Sequence, residues 1–371
     1  MLIASPSPGL SSLTFVNHCN SRAQFYLANT RMSSGYASRL SEYKNKVRQN
    51  YCILGVLSLL GTIVYANFSQ NTCPQGVCGL PENRDTTRTL TIKLKRLTEL
   101  IRESHHTVVL TGAGISTSAG IPDFRGPHGI WTAEKKKQPP EKKCKVLLNT
   151  TTPPTPPPPI TMQDDFSKAQ PTTTHRAIVK LVQLGKIQYC ITQNVDGLHR
   201  RSGLSRQHHS VLHGCVFTEL CEDCKTEHFR DYDVGGMSFQ QTGRTCEVCR
   251  GCLRDVLLDW DDELPEEDLQ RATDHCLKAD LVLCLGTSLR IEPAGSLPTL
   301  ARKFVIVNLQ ETPYDKQATL IIRAPVDEVM NEVMTQLGYP EWDDEKGDAN
   351  VERLWKPQPE SKTDSKTESK K

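Results

Sequence analysis

The chain has 371 residues and a formal net charge of +2, a balance that argues neither for a strongly basic nucleic-acid binder nor for an acidic tail protein. With its polar tails set aside, the apolar content, 37% overall, is that of a globular chain long enough for one large domain or two ordinary ones. Five of the fourteen cysteines fall between Cys221 and Cys252, a clustering that points away from a disulfide framework and toward metal ligation in a reducing compartment.

Residues 1–86 read as an N-terminal extension. Within it, residues 51–68, "YCILGVLSLLGTIVYANF", are uncharged, apolar and preceded by Lys44, Lys46 and Arg48, the pattern of a signal-anchor helix. The spacing of Leu94, Leu97 and Ile101 predicts a helix from Leu90 to Ser104, followed by a buried strand at Thr107 to Thr111. Gly112, Ala113 and Gly114 then form a turn suited to a pyrophosphate, with a helix expected near Ile115 to offer its N-terminal N–H groups. Thr117 stands where a dinucleotide fingerprint has its third glycine, so the turn alone is weak. The loop after it carries Asp123, Phe124 and Arg125, with Trp131 six residues further on.

A proline-rich insert at about residues 144–163 is incompatible with helix or central strand and predicts an exposed loop. A helix at Thr173 to Leu184 and a strand at Ile187 to Thr192 follow, placing Gln193, Asn194, Asp196 and His199 at a strand's carboxyl end, where open α/β sheets bind ligands. His213, before Gly214, has the intrinsic pKa of a general base, a weak signal in isolation. Cys221 and Cys224, then Cys246 and Cys249 after twenty-one residues, make two C-x-x-C knuckles for one structural Zn²⁺; the spacing leaves Cys252 open as a substitute for Cys249.

A helix at Glu266 to Lys278 precedes a strand at Leu281 to Gly286, whose end presents Gly286, Thr287 and Ser288. The strand Phe304 to Leu309 leaves Asn308 and Gln310 at its end, and a last helix runs from Val326 to Leu337. Continuous apolar strands alternating with helices predict an α/β fold: a Rossmann-like parallel sheet with helices on both faces, plus a small zinc-binding module. The expected boundaries are 87–217 and 254–340 for the Rossmann-like domain, 218–253 for the zinc module and 341–371 for a disordered tail.

In order, the segments GAGIS, GIPDFRG, TQNVDGLH, LHG, the cysteine pairs, LGTSL and VIVNLQ resemble the sirtuin family of NAD-dependent protein deacylases over about Lys93 to Leu337. "PHGIWT", "TGRTC", "LRDVLLDWDDELP" and "VNLQETPYD" are similar to its class IV, sirtuin-six branch. The resemblance implies an NAD cradle of Gly112, Ala113, Gly114, Thr117, Asp123, Phe124, Arg125, Trp131, Gln193 and His213, with Gly286, Thr287, Ser288, Asn308, Gln310 and Val326 holding the remaining phosphate and adenosine portions. It further implies His213 as general base, Asn194 and Asp196 as catalytic partners, and Asp259 and Trp260 at the acyl-lysine substrate, with the Asp259 to Asp262 segment pairing with the peptide as a strand.

The implied reaction consumes NAD as its small-molecule substrate and yields nicotinamide, O-acyl-ADP-ribose and free lysine. Acylated histone tails, other acyl-lysine proteins, chromatin or nucleosomes are the implied partners and the nucleus the implied location. Protein mono-ADP-ribosylation at the same NAD site and a non-enzymatic NAD-sensing chromatin scaffold are the competing readings. The resemblance is interrupted between Lys46 and Gly76 and again at roughly Val146 to Gln163, and both interruptions are expected to be retained introns, with Met32 a candidate true start. A membrane partner and a membrane-anchored location follow only if residues 51–68 are expressed.

Overall fold

The computed structural model describes residues 76–137 and 166–342. The apolar run at 51–68, the proline-rich insert and the C-terminal tail lie outside them, and among the described residues no helix is long and apolar enough to cross a membrane. The strands in chain order are β1 (Thr107–Thr111), β2 (Tyr189–Thr192), β3 (His209–Val211), β4 (Thr218–Cys221), β5 (Glu227–Phe229), β6 (Gln241–Thr245), β7 (Cys252–Asp255), β8 (Leu281–Leu285), β9 (Phe304–Val307) and β10 (Leu320–Ile322). The α-helices are α1 (Thr87–Glu103), α2 (Ile130–Lys137), α3 (Thr173–Gln183), α4 (Leu198–Arg201), α5 (Glu266–Lys278) and α6 (Val326–Gln336).

Six strands form one wholly parallel sheet in the order β10-β9-β8-β1-β2-β3. Every residue of β1, β2, β8 and β9 is buried, as expected of strands covered on both faces. Cys190, Val109, Leu283 and Val305 lie in register across β2, β1, β8 and β9 and share one core cluster with α1, α3 and α6. α5 packs against β2 and β3. Leu97 and Ile101 are fully buried on α1, each contributing about 1.5–3 kcal/mol.

Local chemistry sets the helix ends. Thr86 Oγ1 accepts from Thr89 N at 3.3 Å, so α1 starts at Thr87, ahead of the predicted Leu90. On α5, Glu266, Glu267 and Asp268 occupy the first turn and His275 and Lys278 the last, the arrangement the helix dipole favours. The expected α-helix near Ile115 does not form. Two single 3-10 turns, Ala113–Ile115 and Thr117–Ala119, take its place, and the second ends on Gly120 in the left-handed region.

A second, antiparallel sheet has the order β5-β4-β7-β6 and carries the cysteine knuckles. Its cysteine end has a core cluster of only Cys221, Cys246 and Leu253, while β6 alternates between exposed and half-exposed residues. An apolar cluster this small is one that a metal staple would reinforce.

Candidate active site and cysteine centre

The chain leaves β1 toward β2 and β3 on one side and later returns to β8 on the other. The topological switch point therefore lies between β1 and β8, and the crevice beyond their carboxyl ends is where such sheets take a dinucleotide. Gly112 to Ser116 and Gly286 to Ser288 form its floor. The two turns are locked together: Gly114 N donates to Gly286 O at 2.8 Å. A Cβ on Gly112 or Gly114 would stand 2.7–2.8 Å from Thr287 or Gly286, and Gly286 itself has φ of +58°. The glycines are thus required by the approach of two protein turns, and this packing, in place of a helix N-terminus, shapes the cradle.

The segment after β2 enters the crevice from the other side. Gln193 Nε2 donates to Thr287 Oγ1 at 2.9 Å, and Asn194 Nδ2 donates to Gly112 O at 3.1 Å and Ser116 Oγ at 3.3 Å. Asp196 is buried, and its carboxylate accepts from Ser116 Oγ at 2.6 Å and Leu198 N at 2.9 Å. Burial raises its pKa, which its hydrogen bonds only partly offset. Both Asp196 oxygens thus carry an internal bond that fixes the loop. Ser116, which sequence reasoning passed over, is fully buried and joins Asp196 to Asn194.

His213 follows β3, with Nδ1 3.1 Å from Gln193 O. A carbonyl can only accept, so Nδ1 carries the proton and Nε2 keeps the basic lone pair. Burial lowers the imidazole pKa, with a further push from the Arg125 cation, against a rise from the Gln193 bond. The base is therefore neutral at physiological pH. Gly214 beside it is at φ +79°, and a Cβ there would collide with Val256 O, so His213 is held against the strand leaving the cysteine layer.

The loop from Asp123 to Trp131 closes on itself. Asp123 Oδ1 accepts from Gly126 N at 2.9 Å, while Ile130 N and Trp131 N donate back to the carbonyls of Asp123 and Phe124. Asp123 is thus an organiser of the loop, with its pKa raised by burial. Arg125 stacks its guanidinium 4.4 Å from the Trp131 ring centre, and Trp131 lies 4.6 Å from Phe124 and 5.2 Å from Trp260. Trp260, 52% exposed, joins the proposed cofactor loop to the proposed substrate segment. That segment is a turn, with Asp259 N bonded to Asp262 and Trp260 N to Asp259, where a strand from Asp259 to Asp262 was expected.

At the far end, Asn308 Nδ2 donates to Gln310 O at 2.9 Å, and Gln310 Nε2 donates to Leu80 O and Arg125 O at 2.6 and 3.2 Å. Leu80 belongs to an extended stretch that sequence reasoning left outside the site. Thr117 is exposed, with Oγ1 bonded to Gly114 O, and Val326 is buried as the first residue of α6. Ser288 is half-buried beside Thr287 in the β8 turn.

The sulfurs of Cys221, Cys224, Cys246 and Cys249 lie within 4.8 Å of one another, two buried and two exposed. Cys252 is exposed and stands outside this group. Four converging thiols are a donor set suited to one tetrahedral zinc ion, with no position left for a substrate.

The Sir2 family model matches residues 112–293. The NAD-dependent protein deacetylase Sirt6 of Drosophila melanogaster is 38% identical over 320 residues, covering 83% of this chain and 86% of that protein. The chain belongs to the Sir2 family. The NAD-dependent protein deacetylase SRT1 of Arabidopsis thaliana is 45% identical over 268 residues, 71% of this chain, which spans about half, 53%, of that relative's length. A solved structure of Sir2Tm bound to a propionylated peptide aligns with a TM-score of 0.48 and 29% identity over 67% of this chain and 99% of that one.

Proposed function

We propose that this chain is an NAD-dependent protein-lysine deacylase, with NAD in the crevice between β1 and β8 and one structural zinc ion on the four cysteines. The observation that carries the reading is His213: a neutral imidazole at the carboxyl end of the sheet, its Nδ1 proton committed to Gln193 O and its Nε2 left as base. Gly112, Gly114 and Gly286 let the two turns pack on each other, and the backbone of those turns, beyond the carboxyl ends of β1 and β8, is what would face a pyrophosphate. NAD, when bound, supplies an electrophilic ribose carbon and nicotinamide as leaving group. His213 Nε2 then accepts a proton from a substrate hydroxyl, while Asn194, held by Gly112 and Ser116, keeps its carboxamide at the crevice wall. The Trp131–Trp260 contact sets the acyl-lysine segment beside the cofactor loop.

For substrate and location, the similarity of "PHGIWT" and "LRDVLLDWDDELP" to the sirtuin-six branch supports acylated histone tails and the nucleus. The test is nicotinamide release from NAD with acetylated or myristoylated histone-tail peptides, followed together with free lysine. We expect peptide-dependent release in the wild type and a loss of about 100-fold or more in His213→Ala, folding being checked by circular dichroism. Release that no acylated peptide accelerates overturns the reading.

A further inference from the structure

A second cluster of metal-competent side chains lies apart from the four cysteines. Cys190 on β2 and His209 on β3 are direct cross-strand partners, so their side chains share the sheet face covered by α1, α3 and α6. His199 reaches the same place from α4. One ligand atom each from Cys190, His199 and His209 lies within 4.8 Å of the other two, and all three residues are buried.

The polar atoms here are otherwise poorly served. His209 is 1% exposed, and neither of its ring nitrogens has a hydrogen-bond partner among the described residues. Leaving a buried donor or acceptor unsatisfied costs about 1–3 kcal/mol, so a bare His209 is an expensive choice for a position between apolar strands. His199 Nε2 lies 2.9 Å from Thr111 Oγ1, which leaves Nδ1 to bind, and Cys190 Sγ lies 3.9 Å from both ring nitrogens. A second-nitrogen hydrogen bond of this kind is how metal-bound imidazoles are usually oriented.

We propose that Cys190, His199 and His209 form a second metal site, taking one zinc(II) or copper(I) ion through two imidazole nitrogens and one thiolate. Binding releases the Cys190 thiol proton to solvent and forms one metal–sulfur and two metal–nitrogen bonds. Ligand atoms of a compact three-coordinate or tetrahedral centre stand about 3.3–3.8 Å apart, so the cluster contracts by up to about 1 Å. Mixed nitrogen and sulfur donors favour these ions over magnesium or calcium. The site sits under the reaction crevice: His199 bonds Thr111, Thr111 Oγ1 donates to Thr192 Oγ1 at 2.8 Å, and Thr192 Oγ1 accepts from Asn194 N at 3.1 Å. The proposal does not depend on the deacylase reading.

The full chain, metal-depleted under reducing conditions, is titrated separately with zinc(II) and copper(I), and bound metal is counted by mass spectrometry. With zinc we expect about two equivalents per wild-type chain and about one in His209→Leu and Cys190→Ala, the remaining ion being that of the four cysteines. An additional copper equivalent lost in both variants identifies copper(I) as an occupant. Cobalt(II) loaded in place of zinc gives a wild-type-minus-variant spectrum with a single-thiolate charge-transfer band. Unfolding of the metal-free proteins is an independent readout: His209→Leu melts higher than the wild type because two orphaned nitrogens are gone, and metal narrows that gap. Equal stoichiometry with both ions, superimposable cobalt spectra and a metal-independent gap overturn the proposal.

Discussion

His213 owes its protonation state to burial, the largest influence, and to two neighbours that act in opposite directions, Gln193 and Arg125. A base works in its unprotonated form, so activity is lost as pH falls through the pKa. Because that pKa is lowered from 6.5, the acid limb of kcat/KM for NAD, which reports the free enzyme, should be centred below pH 6.5. Initial rates between about pH 5 and 8 check this; an acid limb centred above 6.5 would contradict the buried, Arg125-facing imidazole. At this scale the sequence was informative about which side chains reach the crevice, since Gln193, Asn194 and His213 are polar residues at strand ends. Asp196 reads as one of the same group, but its carboxylate turns inward to Ser116, because a partner eighty residues away in the chain decides the direction. His209 and Cys190 were hidden for a similar reason. They become neighbours only through the register of β2 with β3.

The strands and long helices of the parallel sheet were legible as elements because burial on both faces leaves uninterrupted apolar runs, as in "LVLCL" and "FVIV". What the pattern missed is the conformation after β1. "GAGISTSAG" reads as a helix start, but Gly114 must sit against Gly286, and that contact forces single 3-10 turns. Gly286→Ala tests the contact. Its Cβ would meet Gly114 C and Ile115 N at 2.7 Å, backbone atoms that cannot rotate away, in a left-handed residue with φ of +58°. Strain of about 1–2 kcal/mol and overpacking of about 1–3 kcal/mol add to a loss of about 2–5 kcal/mol in stability, together with weaker NAD binding. Gly185→Ala is the control: φ is +66° but nothing stands within 4 Å, so only the strain of about 1–2 kcal/mol remains and NAD binding is unchanged. Denaturant unfolding and calorimetric NAD titration of the two variants separate the terms, and equal losses would remove the role given to the turn contact.

The molecule joins two layers of unequal strength: a parallel sheet with a large apolar core and a small antiparallel sheet whose cysteine end is packed around Cys221, Cys246 and Leu253. With the proposed zinc ion on the four cysteines, the second would depend on that metal, and its dependence would reach the crevice through two contacts. Leu258 N donates to His213 O at 3.3 Å, and Gly214 packs directly on Val256, just beyond the end of β7. Removing one ligand with Cys246→Ser should therefore open residues 218–255 to fast hydrogen exchange while β1, β8 and β9 keep their protection, because their burial does not depend on the metal. NAD affinity should change little, since Gly286, Asn308 and Gln310 stand on the parallel sheet, whereas the rate of nicotinamide release should fall by about tenfold or more as His213 loses its clasp. Exchange mass spectrometry and NAD titration on the same preparation distinguish the outcomes. If β1 and β8 lose protection along with residues 218–255, the layers unfold as one unit and the metal stabilises the whole chain; if nothing changes, the apolar contacts of the small sheet suffice and the cysteines are not its staple.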